Sequence, residues 1–465
     1  MLNVIAVTAR YLYAFFLLIF IAAGVYIYSR GTEVRQNREM YALQTAALGL
    51  VNLTSLLIFF VKARTDGTLA NFWPMAGLYA AALGLLFAVG CRLCPNPHRL
   101  LWYGVLMLIS TGITILWRLE PASARRQIEW LFLCAAAVCG LYWLARSQFL
   151  WKIPCWLFFW SGAALLSLPF FFPLPAGGAL NWAEIGGVHF QPSEMVKLCW
   201  VFYLSGLYAV PQKKLFRIGR AAAAYTVLAL ILLKQNDLGA LLIFGMVLWF
   251  MTYLYTGRRV VLWGGALGVC AAAVAAYFLV GHVRARFDAW LNPWADVRDG
   301  GYQIMQGLFA IAGGGWIGAG LYQGQSGYIP ERTTDMIFAA ITEEFGVVFA
   351  ILLAGVYLLL VLLIFKRAEE EPEPRLRNFL VAMGLLFGSQ SFLILGGTIG
   401  LLPLTGVTLP FISYGGSSLL CSFAGIAFLQ AILFRQKGKE VARRAKKTEK
   451  AKPKREPEYP FEEVL

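Results

Sequence analysis

The stretch Gly327-Tyr-Ile-Pro-Glu-Arg-Thr-Thr-Asp335 runs straight into Met336-Ile-Phe-Ala-Ala and a long apolar segment reaching residue 366. The first part is a polar loop. The second is long enough to cross a bilayer, which takes roughly 20 apolar residues as a helix. In lipid a backbone must satisfy its own hydrogen bonds, so such runs are helices and not open sheet. Asp335 therefore stands at the lip of a membrane helix, at the end of a long Gly-rich loop. A carboxylate placed there can take a proton from an extracytoplasmic substrate.

The same pattern repeats outward from that point. The chain has 465 residues, 59% of them hydrophobic and 14% charged, against about a quarter charged in soluble domains. Its mean hydropathy is +0.65. Spans are expected at 4–29, 41–62, 72–92, 99–117, 128–146, 154–174, 194–210, 220–236, 238–256, 259–280, 336–366, 377–400 and 417–435, about thirteen in all. The fold class is an all-α polytopic integral membrane protein. The first apolar run lacks a small-residue cleavage site, which makes it a span and not a cleaved signal peptide.

The formal charge of +15 lies largely in short loops and the C-terminal tail. It reads as a topology signal and not as a nucleic-acid surface. Pro211-Gln-Lys-Lys-Leu-Phe-Arg-Ile-Gly-Arg220, Arg258-Arg259, Lys366-Arg367 and the tail from Arg435 read as cytoplasmic. The tail has too little apolar content to fold alone and is expected to be disordered, with membrane lipids or a cytoplasmic protein as its contacts. Loops 175–193, 281–335 and 401–416 then fall outside. Loop 281–335 is too long to be idle and, rich in aromatics, is expected to lie on the membrane surface with short helices. Thirteen spans put the N-terminus outside; an even count with the N-terminus inside stays open.

Six cysteines, Cys134, Cys139, Cys155, Cys199, Cys270 and Cys421, lie in apolar runs and read as packing residues. Cys91 and Cys94 form a C-x-x-C followed by His98. A zinc site there lacks a fourth ligand, so no metal is assigned. Glu194 and Lys197 share one helix face, either as a mutual ion pair or, with Lys197 leading, as a diphosphate contact. Glu343 and Glu344 lie roughly 12 Å into their helix; only one of the two is expected to face inward easily, for structural pairing or substrate contact. Gly313-Gly-Gly-Trp-Ile-Gly-Ala-Gly320 is either a mobile loop or a nest of amides for phosphate. Asp237 reads as a helix N-cap ahead of a substrate contact. Trp182 either stacks on a sugar or sits at the interface.

Five spaced motifs carry a resemblance. Leu402-Pro-Leu-Thr-Gly-Val-Thr-Leu-Pro-Phe-Ile-Ser-Tyr-Gly-Gly-Ser-Ser418 is similar, almost letter for letter, to the C-terminal signature of the shape, elongation, division and sporulation (SEDS) family. His189-Phe-Gln-Pro-Ser-Glu-Met-Val-Lys197 and Gln235-Asn-Asp-Leu-Gly239 resemble two more of its motifs. Trp290-Leu-Asn-Pro-Trp-Ala-Asp296 with Gly301-Tyr-Gln303, and Pro330-Glu-Arg-Thr-Thr-Asp335 with Glu343-Glu344-x-Gly346, also match. The resemblance covers about residues 99–435 and implies a ten-helix SEDS-like core. Residues 1–98 would then add three N-terminal helices, and 436–465 a basic tail.

The resemblance implies an inverting glycosyltransferase that polymerises lipid II, a lipid-linked disaccharide-pentapeptide, into peptidoglycan strands. It would act at the outer face of the bacterial cytoplasmic (inner) membrane, with a monofunctional class B penicillin-binding protein (a transpeptidase) as partner. It implies Asp335 as catalytic base, against the plain alternative of a helix-dipole carboxylate. The matched motifs supply Lys197, Glu194, His189, Arg332, Glu343 and Ser413 as substrate-binding residues, and Trp182 of the outer loop joins them as a candidate for stacking on a sugar. A divalent cation (Mg2+ or Mn2+) would help the diphosphate leave, though no compact ligand cluster demands one. His189 stands where the family has Arg, Asn236 where it has Pro and Thr333 where it has His; a His holds diphosphate less firmly than Arg. The rival readings are a lipid II flippase, which needs charge at the midplane, and a membrane scaffold for a transpeptidase. An acid at the outer rim favours the enzyme.

Overall fold

The structure is a computed structural model. It describes residues 2–31, 36–93, 99–176, 179–211, 213–295, 297 and 300–451. Cys94 and His98 of the C-x-x-C reading, and Asp296, lie outside the described residues.

Apolar length decides the elements. The chain forms α1 (Leu2–Arg30), α2 (Arg38–Thr65), α3 (Leu69–Leu93), α4 (Arg99–Leu119) and α5 (Pro121–Arg146), then a short α6 (Gln148–Lys152) and α7 (Cys155–Ser167). After a small sheet come α8 (Pro192–Ala209), α9 (Lys214–Gln235), α10 (Leu238–Thr256) and α11 (Arg259–Leu279). The long loop holds α12 (Gly281–Leu291) and α13 (Tyr302–Gly314); α14 (Ile337–Glu369), α15 (Pro374–Thr398) and α16 (Gly416–Ala451) complete the bundle. Eleven of these helices are long and apolar enough to cross a membrane. α7, continued by a 3-10 turn to Phe170, and the 18-residue α8 supply the other two expected spans. The protein is a multi-pass membrane protein of the all-α class, its membrane segments helical.

α4 sits at the centre, with its whole apolar stretch buried. α1 runs parallel to α14: Arg10 near its start donates to Gly318 O, and Lys366 at the far end of α14 donates to Tyr28 O. The N-terminus therefore lies at the same end of the bundle as loop 281–335, as thirteen spans require.

The structure adds to or corrects four expectations. Loop 175–193, expected outside, carries an antiparallel sheet of β1 (Pro173–Ala176), β2 (Ala179–Ile185) and β3 (Val188–Phe190) in the order β1-β2-β3. Outside the bilayer the helix-only rule lapses. The tail does not lose structure at Arg435, because α16 continues as helix to Ala451. Residues 436–451 are rich in Lys, Arg, Glu and Ala, all good helix formers, with no Pro before 453.

The third is at α14, one candidate span whose helix is broken at Gly346 (φ +89, ψ 166). The fourth concerns the Gly-rich stretch, which is neither mobile nor a phosphate nest. Ala319 N and Gly320 N donate to Glu343 O and Glu344 O, while Val347 N and Val348 N donate to Gly315 O and Trp316 O. The amides are consumed in filling the gap the break leaves. The glycines permit this contact: a Cβ on Gly346 would lie 2.3 Å from Gly318 N. Irregular backbone at this depth is tolerated because it is buried in protein and paired.

Candidate functional site

Asp335 ends its loop one residue before the N-cap of α14 and is half-buried. Its cradle is the irregular 402–415 segment. Ser413 Oγ donates to Thr334 O at 2.7 Å and accepts from Leu409 N at 2.9 Å. Tyr414 N donates to Thr333 O, and Thr398 Oγ1 to Asp335 O at 3.4 Å. Gln127 of α5 holds the same segment by donating to Ser413 O and accepting from Gly415 N. Ser413 thus spends its hydroxyl on fixing the backbone beside Asp335. Gly406, at φ +70, faces the carboxylate; a Cβ there would sit 3.6 Å from Asp335 Oδ2 and 3.9 Å from Arg286 Nη2. Burial pushes the Asp335 carboxyl up to about 7; Glu331 adds to the rise and Arg286 opposes it. The result is a carboxyl that changes charge near neutral pH, with a guanidinium close by.

A second polar cluster reaches the other side of the 402–415 segment. Glu194 and Lys197 of α8 are buried and paired at 2.7 Å. Lys197 Nζ also donates to Gln390 Oε1 at 3.1 Å, and Gln390 Nε2 donates to Thr408 O. The mutual ion pair is real, and it is wired to the signature loop. Nearby, Asp237 caps α10 through Ala240 N at 3.0 Å and gathers Ser193 and Gln191 on its other oxygen. The cap reading of Asp237 holds.

Glu343 and Glu344 both face inward, contrary to the expectation that only one of them would. The break at Gly346 and the paired 315–320 segment wrap protein around both carboxylates. Each has an oxygen 3.0 Å from where a Gly324 Cβ would lie. Glu344 pairs with Arg118 at 3.1 Å, and Glu343 accepts from Gln325 N at 2.7 Å. Glu343 lines a pocket of about 340 Å3 with Gln306, Phe309, Gln323, Gln325 and Tyr328.

The remaining expected residues sit at the margin. His189 is exposed on β3 and pairs with Glu184 across the hairpin, Nε2 to Oε2 at 3.4 Å. Trp182 is half-buried on β2. Its neighbours Asn181 and Ala183 take the opposite face of the sheet, where Asn181 reaches Asp237 at 3.5 Å. Arg332 Nη1 donates to Gly327 O and closes its own loop. Asn236 has φ +61 as the C-cap of α9. A Pro is held near −65° and cannot adopt that angle, so the α9–α10 turn here is built differently from one carrying Pro.

Sequence reasoning missed Arg286, Arg118, Gln127 and Gln390. Arg118, in the last turn of an otherwise apolar span, was the detectable signal, since a charge at that depth is functional by default. Arg286 had none, being one of several loop arginines.

This geometry matches known proteins. A family model described as "Cell cycle protein", covering the FtsW, RodA and SpoVE proteins, matches residues 92–438. The chain belongs to this family. A "Probable peptidoglycan glycosyltransferase FtsW" of Geobacter sulfurreducens is 38% identical over 273 residues, 57% of this chain and 72% of the relative. A "Peptidoglycan glycosyltransferase RodA" of Mycobacterium bovis is 29% identical over 436 residues, 86% of this chain and 90% of the relative. A solved structure titled "Structural coordination of polymerization and crosslinking by a peptidoglycan synthase complex" matches with a TM-score of 0.62 at 26% identity, over 72% of this chain and 97% of the other. The FtsW, RodA and SpoVE model leaves most of α1–α3 outside its match.

Proposed function

We propose that the protein is a peptidoglycan glycosyltransferase that polymerises lipid II at the outer face of the bacterial cytoplasmic membrane, with Asp335 as its base. The observation that carries this reading is the Asp335 carboxyl, raised to about 7 and faced by Arg286 across Gly406. The acceptor sugar's hydroxyl proton passes to Asp335. Its oxygen forms a bond to the anomeric carbon of the donor, and the bond from that carbon to the diphosphate oxygen breaks. The lipid diphosphate leaves with the electron pair, and a single displacement inverts the centre. Arg286 lies where it can offset negative charge on the diphosphate. The buried Glu194–Lys197 pair and the Glu343 pocket are the further substrate contacts in this reading. His189, Trp182 and Arg332 would meet substrate at the rim.

Among the described residues no group of three or more His, Cys, Asp or Glu side chains is arranged to hold a metal ion. A divalent ion would arrive with the diphosphate and be held chiefly by its oxygens, with one or two carboxylates beside them. A monofunctional transpeptidase is the proposed partner, on the likeness to the synthase complex. The glycosyltransferase names of the relatives do not favour a flippase or a scaffold.

The test is polymerisation of labelled lipid II by purified protein with and without its transpeptidase. Wild type should give glycan strands and Asp335→Ala none, with both proteins folded. Equal product from the two would remove Asp335 from the chemistry, and none from wild type with its partner would favour transport or scaffolding.

A further inference from the structure

α1 and α2 precede the family-matched region, yet they grip the segment that leads to Asp335. Arg10 Nη1 of α1 donates to Gly318 O, inside the paired 315–320 segment. A Cβ on Gly320 would lie 3.0 Å from Ala6 O, so the α1 backbone lies directly against the loop. The Tyr13 ring packs edge-on against Phe345, one residue before the α14 break, at 4.7 Å, and its hydroxyl bonds Ser55 of α2 at 2.8 Å. From the other side, Tyr322 is held at φ +71, an unusual angle for a residue with a side chain. Its ring meets Phe59 of α2 at 6.1 Å, with Lys62 Nζ of α2 at 5.7 Å and the Arg118 guanidinium at 4.8 Å. Arg118 in turn pairs with Glu344.

We propose that α1 and α2 are an intramolecular clamp that sets the conformation of residues 315–325 and so positions the Glu343 pocket and the loop ending at Asp335. Arg10 and Tyr322 are its positioning residues. A backbone held at φ +71 persists only where its surroundings over-determine it, and the ring contacts with α2 supply that constraint. The clamp gives α1 and α2, which lie outside the family-matched residues 92–438, a part in shaping this face. The catalytic half of the proposal rests on the glycosyltransferase reading.

The experiment compares wild type, Arg10→Ala, Arg10→Lys, Tyr322→Leu and Tyr322→Phe in lipid nanodiscs by two readouts. Hydrogen exchange of the peptide covering 313–325 tests the clamp without any activity; Arg10→Ala and Tyr322→Leu should exchange it about tenfold faster. Lipid II kinetics test its consequence. In the same two variants kcat should fall roughly ten- to a hundredfold, with KM moving less than about twofold. Arg10→Lys and Tyr322→Phe, which keep the donor and the ring, should restore both readouts. Unchanged exchange in Arg10→Ala and Tyr322→Leu overturns the clamp. Faster exchange with unchanged kcat overturns its positioning role, as does an activity loss that only follows the amount of folded protein. A wild type without polymerase activity overturns the underlying reading, while the exchange result still decides the clamp.

Discussion

Asp335 joins two demands that conflict. Its burial raises the carboxyl to about 7, which suits a base but strains the fold. The unfolded chain would release this proton near the ordinary value of 3.8. Between those values the native state holds a proton the unfolded state has lost, so this group's contribution to stability falls as pH rises from about 4 to about 7. Asp335→Asn should therefore raise the melting temperature at pH 8 and lose that advantage at pH 4, while polymerisation drops by roughly 10²–10⁴-fold. The wild-type rate should fall on the acid side of about 7, where the base becomes protonated. Arg286 opposes the rise, so Arg286→Gln should move that acid limb to higher pH; a limb that stays put would detach Arg286 from Asp335. The place of Asp335 at the lip of α14 was legible from the switch between polar loop and apolar run. Arg286 was not, because a contact between α12 and residue 406 leaves no local trace in the sequence.

At the scale of elements, helices were legible and their interruptions were not. Lipid enforces helix wherever the chain is apolar, so the eleven long apolar helices could be read from length. Gly346 sits in an apolar run like any tolerated helical glycine, and its break becomes visible only with the 315–320 backbone laid against it. Gly346→Ala should test this: the added Cβ meets backbone at 2.3 Å, at a φ of +89. A cost of about 3 kcal/mol or more is expected from strain and overlap, read as a lowered melting temperature; normal stability would mean the break is not required. The Glu194–Lys197 pair makes a second case. Lys197→Met should destabilise by about 3–5 kcal/mol by stranding Glu194. Glu194→Gln with Lys197→Met should recover most of that loss. Polymerisation should stay low in the double variant if the charges serve substrate, and return if they serve the fold alone.

For the whole molecule, the parallel run of α1 and α14 fixes which turns share an end. The Asp66–Gly67 turn lies with the Asp335 loop, because α2 ends beside Tyr322. The turn at Gly257 lies at the opposite end, beside the Arg258-Arg259 pair. In a cysteine-free background an impermeant maleimide should label Gly67→Cys in intact cells and reach Gly257→Cys only after lysis. The reverse pattern would invert the protein in its membrane. Parity of spans could be counted in advance; the packing of α1 on α14, of α2 on α4 and of α3 on α5 could not, since lipid-facing and protein-facing apolar residues look alike in sequence.

The stitching of residues 315–320 to 343–348 constrains what can move during catalysis. Parting the two segments would orphan the four donors at Ala319, Gly320, Val347 and Val348 where water is scarce, at several kcal/mol for each unsatisfied group. An enzyme that extends a polymer must admit a new lipid-borne sugar every cycle. Such a gate cannot be hinged at the glycines, for all their freedom in isolation. Residues 333–335 are tied down as well, by Ser413, Tyr414 and Thr398, so any part of the loop that swings lies between these two sets of ties and leaves Asp335 in place.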